Sequence, residues 1–175
     1  CGSSWQWLIE QVAGNLPIYF DANIRPDFIE NKKNYFDRFV ELTFKVDIIK
    51  ISDEDYHYLY GAQDFNEVSK GWLYNGVKLV ILTLGAEGSK VIYDNGKDVF
   101  VKSQKVEVVD TIAAGDSFNG GFLLHLDEQG LLDRESLNNI NNTQLESTLS
   151  FANKVASITV TKKGANPPWL SEINK

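Results

Sequence analysis

Methionine is missing altogether from this sequence, and cysteine occurs once, at Cys1. A single thiol excludes an internal disulfide, and no cysteine pair exists to suggest a metal clip, which fits a reducing compartment. A first residue other than methionine, with none further on, leads to the expectation of a piece of a longer protein, or of a chain from which residues such as modified methionines have dropped out. Long apolar runs are also absent. Nothing approaches the roughly 20 residues that cross a bilayer, and no charged-then-apolar signal segment opens the chain, so cytoplasmic is the expected location and no membrane partner is expected. Positive charge is in short supply: 17 Lys and Arg face 24 Asp and Glu, for a formal net charge of −7. That balance repels a phosphate backbone, and the densest basic spot, "TKKGA" at 161–165, is too small to reverse it, so no nucleic-acid partner is expected. Neither GxxxxGK[ST] nor a GxGxxG opening a helix is present, and no internal repeat or linker interrupts the chain.

What is present is ordinary for one globular core: 43% of the 175 residues are hydrophobic and 23% charged. Helical spacing at Trp5, Leu8, Ile9 and Val12 predicts a helix over 3–15, with serine at its cap and Gly14-Asn15 as its stop. A short strand over 16–23, a helix over 31–44 and a strand over 46–52 follow. The segment 52–61 reads as a helix with Ser52 as cap and acids in its first turn, where the helix dipole favours them. A helix over 65–76 leads to the most apolar run, 77–85, expected for a central parallel strand covered on both faces. Residues 89–101 read as a hairpin turning at Asp94-Asn95-Gly96. A further strand is expected at 105–111, then helices at 115–126 and 143–161 joined by a polar connection. The alternation argues for an α/β domain with a mainly parallel sheet.

The stretch "VDTIAAGDSF" (109–118) places small residues and one acid at the expected entry to a helix. Small side chains at Ala113, Ala114 and Gly115 let a ligand approach the backbone, and the free N–H groups of a first helical turn attract an anion, commonly phosphate. A carboxylate at Asp116 would repel that phosphate. The conflict is resolved if Asp116 takes a proton from an attacking hydroxyl while the N–H groups hold charge on the transferring phosphoryl. On local pattern alone the plainer account stays open, with Asp116 as a first-turn acid and the glycines serving packing. His57, among tyrosines on an amphipathic helix, and His125, at a helix end, read as surface or helix-end residues rather than bases.

"DTIAAGDSFNGGF" (110–122) resembles the DTxGAGD signature of ribokinase-type sugar kinases, the PfkB family, with Ala113 in place of the first glycine of GAGD. The resemblance implies that Asp116 is the catalytic base and that Ala113, Ala114 and Gly115 form the anion hole. Alanine at 113 is a mild departure, since its N–H stays available unless the position requires a positive φ. "FDANIRP" (20–26) is similar to the family's DPNxRP segment, which implies that Asn23 and Arg25 face substrate and phosphate. "VDIIKISDEDYHYLYG" (46–61) is similar to the D-x-x-K-x-S-x-E-E segment, which brings Ser52 towards the nucleotide and Asp55, a shortened acid, towards Mg²⁺. "ILTLGAEGS" (81–89) resembles the nucleotide-lining strand and turn, implicating Thr83, Gly85, Ala86 and Gly88. In "FANKVASITVTKKGAN" (151–166), Asn153 corresponds to a residue near adenine. Asp110, Ile112, Thr159 and Gly164 correspond to the loops that bind a monovalent cation such as K⁺ in some members, although Asp110 can equally serve as the anchor of its turn.

The implied fold is a three-layer ribokinase-like α/β fold lacking its N-terminal part and lid, with residues 1–175 forming the nucleotide-binding and catalytic portion. The implied activity is ATP-dependent phosphorylation of a primary hydroxyl of a ketose, most plausibly fructose, with Mg²⁺ on the phosphates. A 2-keto-3-deoxygluconate kinase and a non-catalytic nucleotide-binding remnant remain alternatives. The expected partners are a small-molecule sugar and ATP, with a homodimer as a candidate assembly.

Overall fold

A computed structural model describes the backbone of residues 2–173 and the side chains of 4–173. Cys1 lies outside the described residues, and of Ser3, expected at the cap of the first helix, only the backbone is described, within the first helix. The helices are α1 (Gly2–Val12), α2 (Lys32–Leu42), α3 (Asp53–Tyr60), α4 (Phe65–Tyr74), α5 (Ala114–Glu128), α6 (Arg134–Asn138), α7 (Asn142–Val160) and α8 (Leu170–Ile173). The strands are β1 (Tyr19–Asp21), β2 (Ile48–Ser52), β3 (Leu79–Thr83), β4 (Gly88–Tyr93) and β5 (Lys97–Lys102), and they form one sheet in chain order. β1 pairs with β2, and β2 with β3, in parallel; β4 and β5 form the expected hairpin around Asp94–Gly96. The result is an α/β architecture whose sheet is parallel through its first three strands and mixed overall.

The chain divides into two compact units. The first contains the described residues through Thr83, with Val91–Asp98 and Asp133–Asn138. Its centre is β2 and β3, where Ile48, Ile49, Ile51, Leu79, Val80 and Ile81 are almost wholly inaccessible to solvent. Burial of consecutive residues, rather than alternate ones, means that both strand faces are covered. Phe39 of α2, Tyr56 and Tyr60 of α3, Phe65 and Trp72 of α4 and Phe20 of β1 meet ring to ring at 5.1–6.5 Å. The tyrosines of α3 thus include core residues: the Tyr56 hydroxyl donates to the Gln63 carbonyl, and burial pushes its phenol up to about 12. Asp47, also buried, accepts from the Ile18 N–H at 3.0 Å and from Arg134 Nε at 2.8 Å, tying α6 to the sheet.

The second unit contains Leu84–Lys90, Val99–Leu132 and the described residues from Asn139 onward. α5 packs on α7 through Phe118, Phe122 and Leu126 against Leu145, Leu149, Ala152 and Val155, all buried. The helices come so close at Gly121 that an added Cβ would stand 3.0 Å from Val155 Cγ2 and 3.2 Å from Ala152 Cα. Asn141 and Gln144 close a reciprocal capping box at the start of α7, satisfying two otherwise orphaned donors.

Two expectations need correction. No strand forms at 105–111: residues 105–109 are exposed, and of this segment the N–H groups of Val109 and Asp110 share one acceptor, the Val160 carbonyl, at 2.8 and 3.2 Å. The β-branched alternation there describes a surface that suits a sheet, but a strand also needs a neighbouring strand edge. Within the segment expected to be polar connection, 134–138 instead forms the short helix α6, anchored by the Arg134–Asp47 pair. Among the described residues, no helix is long and apolar enough to cross a membrane.

Candidate active site

The second unit carries the acid corner. A largely exposed segment without regular structure, rather than a strand, leads into α5. Ala113 is the N-cap, at φ 62° and ψ 15°. This is the left-handed region, so the position is the case in which alanine is a costly replacement for glycine rather than a mild one, because its Cβ crowds the following carbonyl. The Ala114 N–H is taken by the Thr111 carbonyl at 3.2 Å, and the first regular helical bond runs from the Ser117 N–H to the Ala113 carbonyl at 2.9 Å. Among the described residues, no backbone carbonyl accepts from Ala113, Gly115 or Asp116. The free donors are thus the N–H groups of 113, 115 and 116 rather than the run 113–115. The Asp116 side chain is exposed while Ser117 and Phe118 are buried, so the acid stands at the boundary between solvent and core.

Asp110 secures the approach to this corner. Its Oδ1 accepts from the Ile112 N–H at 3.0 Å and its Oδ2 from the Gly164 N–H at 2.8 Å. Those bonds, the Ile112 one foremost, hold the carboxyl below the usual carboxylate range because they favour its charged form. Asp110, Ile112 and Gly164 are therefore together, as expected of a loop pair. Thr159 is fully buried, and its hydroxyl donates to the Val155 carbonyl at 3.0 Å within α7.

Of the residues expected along the nucleotide, Gly85 and Ala86 form a tight turn, with Gly85 at φ 53°. Gly88, at φ 127°, has a packing duty, since a Cβ there would overlap the Val101 carbonyl oxygen and crowd Lys102 and Ser103. Asn153 is also engaged inside the fold: its Oδ1 accepts from Ser89 Oγ at 2.9 Å and its Nδ2 donates to the Val101 carbonyl at 3.0 Å. It joins α7 to β4 and β5 at a buried point.

The first unit contains Asn23, Arg25, Ser52, Asp55 and Thr83. Thr83 ends β3. Ser52 caps α3, accepting from the Asp55 N–H at 3.1 Å, as the sequence predicts. Asn23 and Arg25 line a cavity of about 770 Å³, together with Asn34, Tyr35 and Arg38 of α2. Burial, and after it the charge of Asp55, push the Tyr35 phenol up, so the field of Asp55 reaches this cavity's wall. Asn23 and Arg25 are thus gathered around one hollow, whose lining does not include Asp55. His57 is exposed with Nδ1 2.7 Å from the Asp53 carbonyl, and His125 stacks on Phe151 at 5.0 Å; neither belongs to this group.

Reasoning from sequence missed two features. One is the ion pair between Asp21 and Lys50, although a lone lysine inside a run of isoleucines is itself a signal of a buried partner. The other is the left-handed Ala113, whose signal is the glycine that the GAGD signature has at this position. Among the described residues, no group of three His, Cys, Asp or Glu side chains could hold a metal. A magnesium ion carried on phosphate oxygens needs only one or two protein carboxylates, so the acids present are compatible with it.

The chain is similar in sequence and fold to proteins of known kind. A fructokinase from Rhizobium leguminosarum bv. trifolii is 38% identical over 137 residues, 78% of this chain and 42% of the relative. A fructokinase from Xylella fastidiosa solved with bound ATP superposes with a TM-score of 0.83 at 29% identity, covering 94% of this chain and 52% of that one. A fructokinase double mutant from Vibrio cholerae O395, solved with fructose, ADP and potassium ion, gives a TM-score of 0.76 at 25% identity, covering 93% and 50%. The chain spans about half the length of the relatives it matches. Residues 4–172 match the family described as pfkB family carbohydrate kinase, and to that family the chain belongs.

Proposed function

We propose that the gene product carrying this chain is an ATP-dependent sugar kinase that phosphorylates a primary hydroxyl of a ketose, with fructose the first candidate. The observation that carries this reading is the start of α5, where unpaired N–H groups at Ala113, Gly115 and Asp116 adjoin an exposed carboxylate. Such donors stabilise charge as it builds on a transferring phosphoryl group, while Asp116 accepts the proton of the attacking hydroxyl. Asn23 and Arg25 supply an amide and a permanently charged planar fork, which suit hydroxyl and oxyanion recognition. Asp55 would be the carboxylate that supports a magnesium ion on the nucleotide, which would supply charge neutralisation. K⁺ is the candidate monovalent ion beside Asp110, Ile112 and Gly164. Fructose is favoured because related proteins named fructokinase recur at 30% identity or more.

The test is sugar-stimulated ADP release by the gene product that carries residues 1–175, with fructose, 2-keto-3-deoxygluconate and ribose as acceptors. Fructose is expected to give the highest kcat/KM, and absence of stimulation by any sugar overturns the reading. Asp116→Asn is expected to keep nucleotide affinity and to lower kcat by about 10³-fold. A near-normal rate in that variant removes Asp116 from the mechanism.

A further inference from the structure

Asp21 ends β1 and faces Lys50 across the parallel register with β2. The Lys50 side chain is 6% exposed, and its ammonium stands 3.3 Å from both carboxylate oxygens of Asp21. Asp21 Oδ1 also accepts from the Asn23 N–H at 3.2 Å, and the Ala22 N–H donates to the Lys50 carbonyl at 3.0 Å. Asn23 is thereby held at φ 38°, in the left-handed region, and the chain turns so that Asn23 and Arg25 line the 770 Å³ cavity.

A buried ion pair is a weak source of stability, because removing two charges from water offsets their attraction, and an apolar pair would pack as well. An apolar pair cannot, however, present a fixed acceptor to one particular N–H. We propose that the Asp21–Lys50 pair is a positioning device: the ammonium pins the carboxylate, and the pinned carboxylate sets the Asn23–Arg25 turn that meets the substrate. The role of the turn rests on the kinase reading above, while the way the turn is held does not.

The decisive variant is the apolar double substitution Asp21→Leu with Lys50→Met, which leaves no unpaired charge and no acceptor for the Asn23 N–H. In this 175-residue chain, the amide and Cα NMR shifts of Asn23 are expected to relax toward random-coil values while those of Phe65–Tyr74 stay in place. In the gene product, KM for the sugar or ATP is expected to rise about tenfold with kcat changed less than about threefold. Lys50→Arg, which preserves the pair, is expected to restore both. Unchanged Asn23 shifts together with an unchanged KM overturn the proposal, as do shifts of Asn23 that move only in step with those of α4. A wild type inactive on every sugar, with Asn23 still displaced in the double variant, overturns the kinase reading and supports the positioning role.

Discussion

Two turns in this protein share a plan and differ in how it is secured. In the first unit, Asp21 accepts the N–H two residues on, at Asn23; in the second, Asp110 does the same for Ile112. Each carboxylate is also anchored from a distant part of the chain. For Asp21 the anchor is the buried ammonium of Lys50, and for Asp110 it is the main-chain N–H of Gly164. Each turn also contains a non-glycine residue at positive φ, Asn23 at 38° and Ala113 at 62°. Asparagine enters that region at modest cost, whereas alanine has no side-chain hydrogen bond with which to compensate. The first turn is thus held by a pair whose ammonium is buried and the second by backbone amides at the surface, where the strain falls on Ala113.

The largest expected effect breaks the charged anchor. Lys50→Met leaves the partly buried Asp21 carboxylate without its partner, and chemical denaturation should show a loss of about 2 kcal/mol. Adding Asp21→Asn should recover most of it, since the cost comes from the orphaned charge. Next in size is a swap at the left-handed positions. Asn23→Ala should cost about 1 kcal/mol in the same measurement, because it puts at 23 the residue that is already strained at 113. Ala113→Gly should do the reverse: relief of roughly 1–2 kcal/mol of left-handed penalty exceeds the added unfolded-chain entropy of about 0.5–1 kcal/mol, for a net gain near 0.5. The smallest effect concerns acid. The carboxyl of Asp110 titrates lower folded than unfolded, so its contribution is complete above the unfolded value near 3.9 and is lost as pH falls through the folded value. Asp110→Asn should therefore flatten the stability profile below about pH 4 and leave its slope near neutrality unchanged, as thermal melts across pH would show.

Much of the fold was legible in the chain. Periodicity located α2, α4, α5 and α7, and periodicity with the Ser52 cap α3, to within a few residues; Asn31, Asp64 and Asn141, not read as caps from the sequence, also accept from the amide three residues on. The apolar run at 77–85 became β3, buried on both faces. The failure at 105–111 has a definite cause: alternation specifies which residues suit a sheet, not whether an edge is available to pair with. The duties of Asn153 and Gly88 were similarly hidden, since a local motif does not reveal that Ser89, Val101 and Ser103 fold back against them.

The amino-acid order by itself determined the family, the alternation of helix and strand, and the presence of an acid beside a run of small residues, because these are local patterns carried by neighbours in the chain. Only the tertiary structure decided that Ala113 must be left-handed, which amides at the start of α5 stay free, and that Lys50 finds Asp21. Those outcomes depend on contacts between residues far apart in the sequence, and on which polar groups are left without water once the core has closed.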